Sequence, residues 1–184
     1  LFANPNQRVG IGTSVPDEKL HVNGIVKADQ LKYNSPRTSY YSIGTPDFTS
    51  RDGSYTISRE IGSGYASIDQ NDPAGLGMVA PIHLPHGSKI TQIQIVGRDV
   101  SATSDLSISI VTRAYSNLSS FSWITQTSSG APGNFTINHT LGSPLVVEND
   151  LNYYMIQVSG TAGWNATQLG IYGVRITYSV EKAD

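Results

Sequence analysis

The stretch Gly170 to Val180, GIYGVRITYSV, alternates Tyr172, Val174, Ile176, Tyr178 and Val180 with Gly173, Arg175, Thr177 and Ser179. Side chains of a β-strand point to opposite faces with a period of two, so this pattern reads as a half-buried strand. The same alternation recurs upstream. Leu106, Ile108 and Ile110 alternate with Ser107 and Ser109, Tyr154, Ile156 and Val158 form a third apolar face, and Ile93 with Ile95 a fourth. Clear breakers separate them: His86-Gly87-Ser88, Ser101 to Ser104, Ser128 to Gly133, Leu141 to Pro144 and Gly160 to Gly163. Helix signals are nearly missing. Only Pro16-Asp17-Glu18-Lys19 has the proline and acids that suit one helical turn. Strands at this spacing predict an all-β chain whose residues 37–184 form an antiparallel β-sandwich of two sheets, jelly-roll-like.

Composition narrows the function classes. The 184 residues carry a formal net charge of −2, and only 14% are charged. Without a Lys/Arg cluster there is no electrostatic footprint for nucleic acid. No apolar run approaches the roughly 20 residues of a membrane span, so no membrane insertion is expected. Cysteine is absent, so stability must come from core burial or oligomerisation, and thiol chemistry is excluded. The chain starts at Leu1 without a charged or apolar leader, which reads as a fragment or processed product.

Residues 1–36 differ from the rest. They offer Val9, Ile11, Leu20, Val22, Ile25, Val26 and Leu31 scattered among glycines, too little apolar area to offset the entropy of ordering them. Three copies wound about one axis would let each chain's apolar side chains meet those of its neighbours, with glycines permitting close approach. Val9, Ile11, Leu20, Val22 and Ile25 are therefore the expected trimer interface. Asn34-Ser35-Pro36 reads as a linker, because Pro resists both ladder and helix.

The series Val9-Gly10-Ile11-Gly12-Thr13, then Pro16, then Lys19-Leu20-His21-Val22-Asn23-Gly24 resembles a shaft segment of phage tail-fibre and bacterial trimeric surface-fibre proteins. That resemblance covers about the first 27 residues. It implies a homotrimer attached to upstream fibre or baseplate components, on a virion tail or at a cell surface. Residues Ala80 to Gly87 and Ile171 to Ile176 are similar to uncharacterised bacterial sandwich domains, a likeness that carries no activity with it.

Candidates for chemistry are few. His83 and His86 are spaced to share a metal but flank Pro85, and no Cys or acid beside them completes a tetrahedral set. Asp69-Gln70-Asn71-Asp72-Pro73 is oxygen-rich, so Asp69 and Asp72 are candidate cation ligands, yet Asx-rich turns are the commoner use of such a segment. No Gly-x-Ser-x-Gly elbow or phosphate-binding glycine loop occurs, and each acid lies among turn residues. No enzyme and no cofactor are expected.

Aromatic residues are the better lead. Trp164, in the polar loop Gly160 to Thr167, would be exposed beside the Asn165 amide and suit a sugar's apolar face and hydroxyl rim. The alternative is that Trp164 folds back and plugs the end of the sandwich. Tyr40 and Tyr41 stand at its entrance, one facing inward and one outward, and Tyr41 joins the ligand candidates. Trp123 alternates with Phe121 and reads as core. The expected function is a non-enzymatic, homotrimeric fibre fragment that attaches a phage or particle to a cell-surface glycan or protein receptor, with avidity from three weak sites. Two alternatives stand beside it: a purely structural fibre part, and a carbohydrate-binding module of a secreted enzyme. The module reading predicts a monomer without a shaft, which the glycine-rich N-terminus disfavours.

Overall fold

Period-two segments become paired strands wherever their apolar faces can meet across a core. The computed structural model describes residues 2–3, 8–59, 64–69, 71–72, 76–128, 132–165 and 168–182. They fall into two units, Leu1–Tyr33 and Asn34–Lys182. No α-helix occurs among the described residues.

In the first unit, β1 (Phe2–Ala3), β2 (Val9–Ile11) and β3 (Leu20–Val22) form a small sheet in the order β1-β2-β3. β2 and β3 run parallel, with Val9 opposite Leu20 and Ile11 opposite Val22. The pair is extended by the Val9 N–H donating to the Lys19 carbonyl and the Asn23 N–H donating to the Ile11 carbonyl, each at 2.8 Å. Residues 17–19 form bends, not the helical turn their composition suits.

The remaining strands belong to the second unit, apart from Lys32 and Tyr33, the two residues that begin the first of them. These are β4 (Lys32–Gly44), β5 (Thr49–Ser50), β6 (Ile57–Arg59), β7 (Ala66–Ile68), β8 (Asn71–Asp72), β9 (Gly77–Ile82), β10 (Lys89–Asp99), β11 (Leu106–Ala114), β12 (Ser120–Thr127), β13 (Gly133–Val146), β14 (Asn152–Gly160), β15 (Trp164–Asn165) and β16 (Leu169–Lys182). One sheet has the order β13-β10-β16-β7-β6, with β4 also paired to β16, and the other β12-β11-β14-β9-β5. The long pairings β10–β13, β10–β16, β11–β12, β11–β14 and β9–β14 are all antiparallel. Asn34-Ser35-Pro36 lies inside β4 and is not a linker. A proline cannot donate to a ladder, and β4, at the edge beside β16, is where a strand tolerates one.

Inner faces meet in a single apolar core. Ile90, Ile93 and Ile95 of β10 and Ile171, Val174 and Ile176 of β16 face Leu106, Ile108 and Ile110 of β11 and Tyr154, Ile156 and Val158 of β14. Each such side chain contributes about 1.5–3 kcal/mol when fully buried. Tyr172 departs from the alternation read in its strand. The register shifts between Val96 and Gly97, whose partners are Gly173 and Ile171, leaving Tyr172 as the extra residue of a bulge. Its hydroxyl reaches the exposed Asn134 at 3.2 Å.

Candidate functional site

The site grows from an irregularity in β12. This edge strand pairs with β11, where Ile110 faces Ile124 but Val111 faces Ser122. Trp123 is therefore the unpaired residue of a bulge, and Ile124 is the one buried residue of the strand. A bulge bends its strand and re-aims a side chain. Trp123 is 50% exposed, which corrects its assignment to the core, and Phe121 is 59% exposed. Their rings form an edge-to-face pair, centroids 5.0 Å apart at 77°. The Trp123 indole N–H donates to Thr112 Oγ1 at 3.2 Å, fixing the ring on the strand beside it.

A groove of 370 Å3 opens beside this pair. Phe121 and Trp123 line it together with Pro144 and Val146 of β13, and Glu148, Asn152 and the buried Tyr154 are among its polar lining. The Tyr154 hydroxyl accepts from the Glu148 N–H at 2.8 Å and donates to the Val146 carbonyl at 3.4 Å. Burial pushes the Tyr154 phenol above its ordinary value, and the nearby Glu148 and Asp150 charges add to the shift against its hydrogen bonds. It therefore stays neutral as a fixed hydroxyl.

A second hollow of 320 Å3 shares Asn152 and Tyr154 with the groove. Its lining includes His83, Tyr115, Asn149 and Tyr153, and the Tyr115 and Tyr153 rings lie 5.6 Å apart. Five aromatic rings, Phe121, Trp123, Tyr115, Tyr153 and Tyr154, thus line two hollows that share Asn152. The arrangement suits binding: ring faces take apolar surface, while Asn152 and Glu148 take hydroxyls. Glu148 is the groove's one carboxylate among the described lining residues, whereas hydrolysis of a glycosidic bond ordinarily employs two.

Trp164 is not part of it. Only 2% exposed, Trp164 belongs to the core cluster, so it cannot be a stacking platform, and the exposed-ring expectation is corrected. Its loop is held shut by the neighbouring one. Ser104 Oγ donates to the Gly163 carbonyl at 2.6 Å and accepts from the Ala162 N–H at 3.1 Å, and the Thr161 N–H donates to the Asp105 carbonyl at 2.8 Å. A side chain at Gly160 would clash with the Gly163 carbonyl, so glycine permits this return instead of conferring freedom. Asn165 lies on β15 opposite Asn71, and its side chain is outside the described residues. Tyr41 packs against the core, while Tyr40 is exposed.

The metal candidates are dispersed. His83 is exposed in the second hollow. His86 Nδ1 accepts from the Asn149 N–H at 3.3 Å and lies 3.5 Å from Asp150 Oδ1, both side chains being exposed. Asp69 is exposed, and the Asp72 side chain and Gln70 and Pro73 lie outside the described residues. Among the described residues, no three His, Cys, Asp or Glu gather as a metal would require. In the N-terminal unit, Ile11, Leu20 and Ile25 are exposed and Val9 and Val22 half-buried, so none of these five side chains is enclosed in the single chain.

No protein-family model matches the chain, and no curated protein matches it in sequence. Solved structures do match its fold. A xylan-binding module, CBM15, is 15% identical with a TM-score of 0.51, over 80% of this chain and 100% of that one. The CBM22-1–GH10 modules of Clostridium thermocellum endo-1,4-β-D-xylanase 10B, complexed with xylohexaose, are 9% identical with a TM-score of 0.54, over 77% of this chain. The chain spans 27% of that xylanase structure. At these identities the likeness establishes the fold, an antiparallel β-sandwich of the kind found in carbohydrate-binding modules.

Proposed function

We propose that the sandwich is a non-catalytic glycan-binding module and that the Phe121–Trp123 groove is its site. The observation that carries this reading is the exposed, hydrogen-bonded Trp123 ring set beside Phe121 over a groove lined with Asn152 and Glu148. An aromatic pair held on a strand is preorganised, so stacking a sugar costs little ordering entropy. The fold shared with a xylan-binding module and with modules complexed with xylohexaose supports a neutral β-linked glycan as the ligand, and with it an extracellular location. Titration of the chain with xylohexaose tests the site. Trp123→Ala should weaken binding at least tenfold, about 1.4 kcal/mol, with unchanged melting. A folded variant that binds like the wild type removes the groove from consideration.

A second reading concerns the N-terminal unit. Its exposed Ile11, Leu20 and Ile25, with the fibre resemblance of residues 9–24, support a homotrimer whose shaft presents three sandwiches, multiplying weak glycan contacts into avidity. The chain would then serve as a fibre-borne adhesin on a virion tail or cell surface.

A further inference from the structure

The outer face of the six-stranded sheet presents another arrangement, away from the groove. Strand register sets Asn138, Gln94 and Arg175 in one row across β13, β10 and β16. Gln94 Nε2 donates to Asn138 Oδ1 at 2.7 Å, and the Arg175 guanidinium lies 5.4 Å from the centroid of the Tyr40 ring on β4. Four residues along β10, Asn134, Arg98 and Gly170 form a second row. There the Tyr65 ring fills the space a side chain at Gly170 would need, and the Arg98 guanidinium lies 5.9 Å from its centroid. Tyr172, turned out by its bulge, bonds Asn134 in the same row.

Between the rows, Val96 and Thr136, with Phe135, line an open depression of 320 Å3 that Asn134 and Tyr172 border, and Gly173 is the ladder partner of Val96. At the ordinary strand rise the two rows stand about 13 Å apart, wide enough for a sugar chain lying across the strands.

Charge distinguishes this trough from the groove. The strands of this sheet contain two carboxylates, Asp99 and Glu181. Asp99 is buried and accepts from Ser128 Oγ at 2.5 Å, and Glu181 is paired with Lys89 at 2.5 Å. Neither offsets Arg98 and Arg175, so the face is cationic on a chain whose net charge is −2. A guanidinium held near a tyrosine ring is positioned by the cation–π attraction, and its terminal N–H groups can grip a carboxylate in bidentate fashion.

We propose that this trough binds an acidic polysaccharide, with uronate carboxylates on Arg175 and Arg98 and sugar hydroxyls on the Asn138, Gln94 and Asn134 amides. Two arginines flanked by amides fit a sparsely charged chain of hydroxylated rings better than a nucleic acid, whose dense phosphates call for many cations.

Polygalacturonate and highly methyl-esterified pectin share a backbone and differ in free carboxylate, so together they test the proposal on the full-length chain. The wild type should bind polygalacturonate, lose that binding as salt rises, and bind the esterified polymer at least tenfold more weakly. Arg175→Gln should weaken polygalacturonate binding tenfold or more, and Arg175→Lys, which keeps the charge but not the fork, severalfold. Trp123→Ala should leave this binding unchanged, which separates the trough from the groove whichever of the two fails. Equal binding to both polymers, no binding to polygalacturonate, an Arg175→Gln variant that melts and binds like the wild type, or stronger binding of a single-stranded oligonucleotide would each overturn it.

Discussion

The indole N–H of Trp123 donates to the Thr112 hydroxyl at 3.2 Å, tying an exposed ring on an edge strand to a buried residue of its neighbour. The bond orients the ring but carries little of the fold, because Trp123 is half exposed and water can replace the acceptor. Thr112→Val keeps the shape and deletes the acceptor. The expected result is a stability change within about 1 kcal/mol and a severalfold loss of xylohexaose affinity. Iodide quenching of tryptophan fluorescence should rise as Trp123 loosens, since Trp164 is shielded in the core. Unaltered affinity would show that the ring's orientation does not matter to the ligand.

Trp164 should behave oppositely. Among the largest fully buried side chains, it fills core space next to β8, with Asp72 as its strand partner. Truncation to alanine leaves a cavity the packed sheets can close only in part, costing about 3–5 kcal/mol. Denaturant melts of Trp164→Ala should show that loss, while glycan affinity measured well below the melting point stays within twofold. A large loss of affinity with unchanged melting would return Trp164 to the binding surface.

The Tyr154 phenol gives a pH signature. Burial raises its folded pKa above the ordinary value, so the native state holds this proton more tightly than the unfolded chain. That contribution is complete below the unfolded pKa and is lost as pH rises through the folded one. Stability should therefore decline above about pH 10, and Tyr154→Phe should flatten the alkaline decline while lowering stability at neutral pH through the lost bonds to Glu148 and Val146. Melts of both proteins from pH 7 to 11 check this. Parallel alkaline curves would show that another group sets the slope.

Much of the sandwich was legible because alternation survives along most of each strand that is paired on both sides. β10, β11, β14 and most of β16 are such strands, and their inner faces are the ones the sequence pattern marks. The candidate groove was not legible, because a bulge decides it, as a second bulge decides the trough on the other sheet. Trp123 and Tyr172 each look like core residues by period, and each is the extra residue that one ladder skips. A bulge is a property of two strands at once, and nothing in Ser120 to Ile124 alone announces it. Trp164 misled for a related reason: its glycines signal freedom locally, but Ser104, 59 positions before Gly163 in the chain, and Asp105 close the loop. Proline at position 36 reads as a break until β4 is known to be an edge strand.

The last prediction concerns self-association, and the boundary between the units sets its design. β4 begins at Lys32 and pairs with β16, so a truncation must end before it to spare the sandwich. Removing residues 1–31 deletes Val9, Ile11, Leu20, Val22 and Ile25 together, all of them half-buried or exposed in the single chain. If three copies bury those side chains against one another, the apolar area withdrawn from water drives assembly at about 25 cal/mol per Å2. Light scattering at micromolar concentration should then give three times the chain mass, 19.8 kDa, for the intact protein and a monomer for the truncated one. The truncated chain should keep its far-ultraviolet strand signal and its affinity for xylohexaose per site, while its retention on a glycan-coated surface falls by an order of magnitude or more as avidity is lost. Polar substitution at Leu20 and Ile25 should dissociate the trimer in the same way without shortening the chain. A truncated protein that remains trimeric would place the association between sandwiches, and an intact protein that is monomeric would remove the shaft altogether while leaving the glycan groove standing.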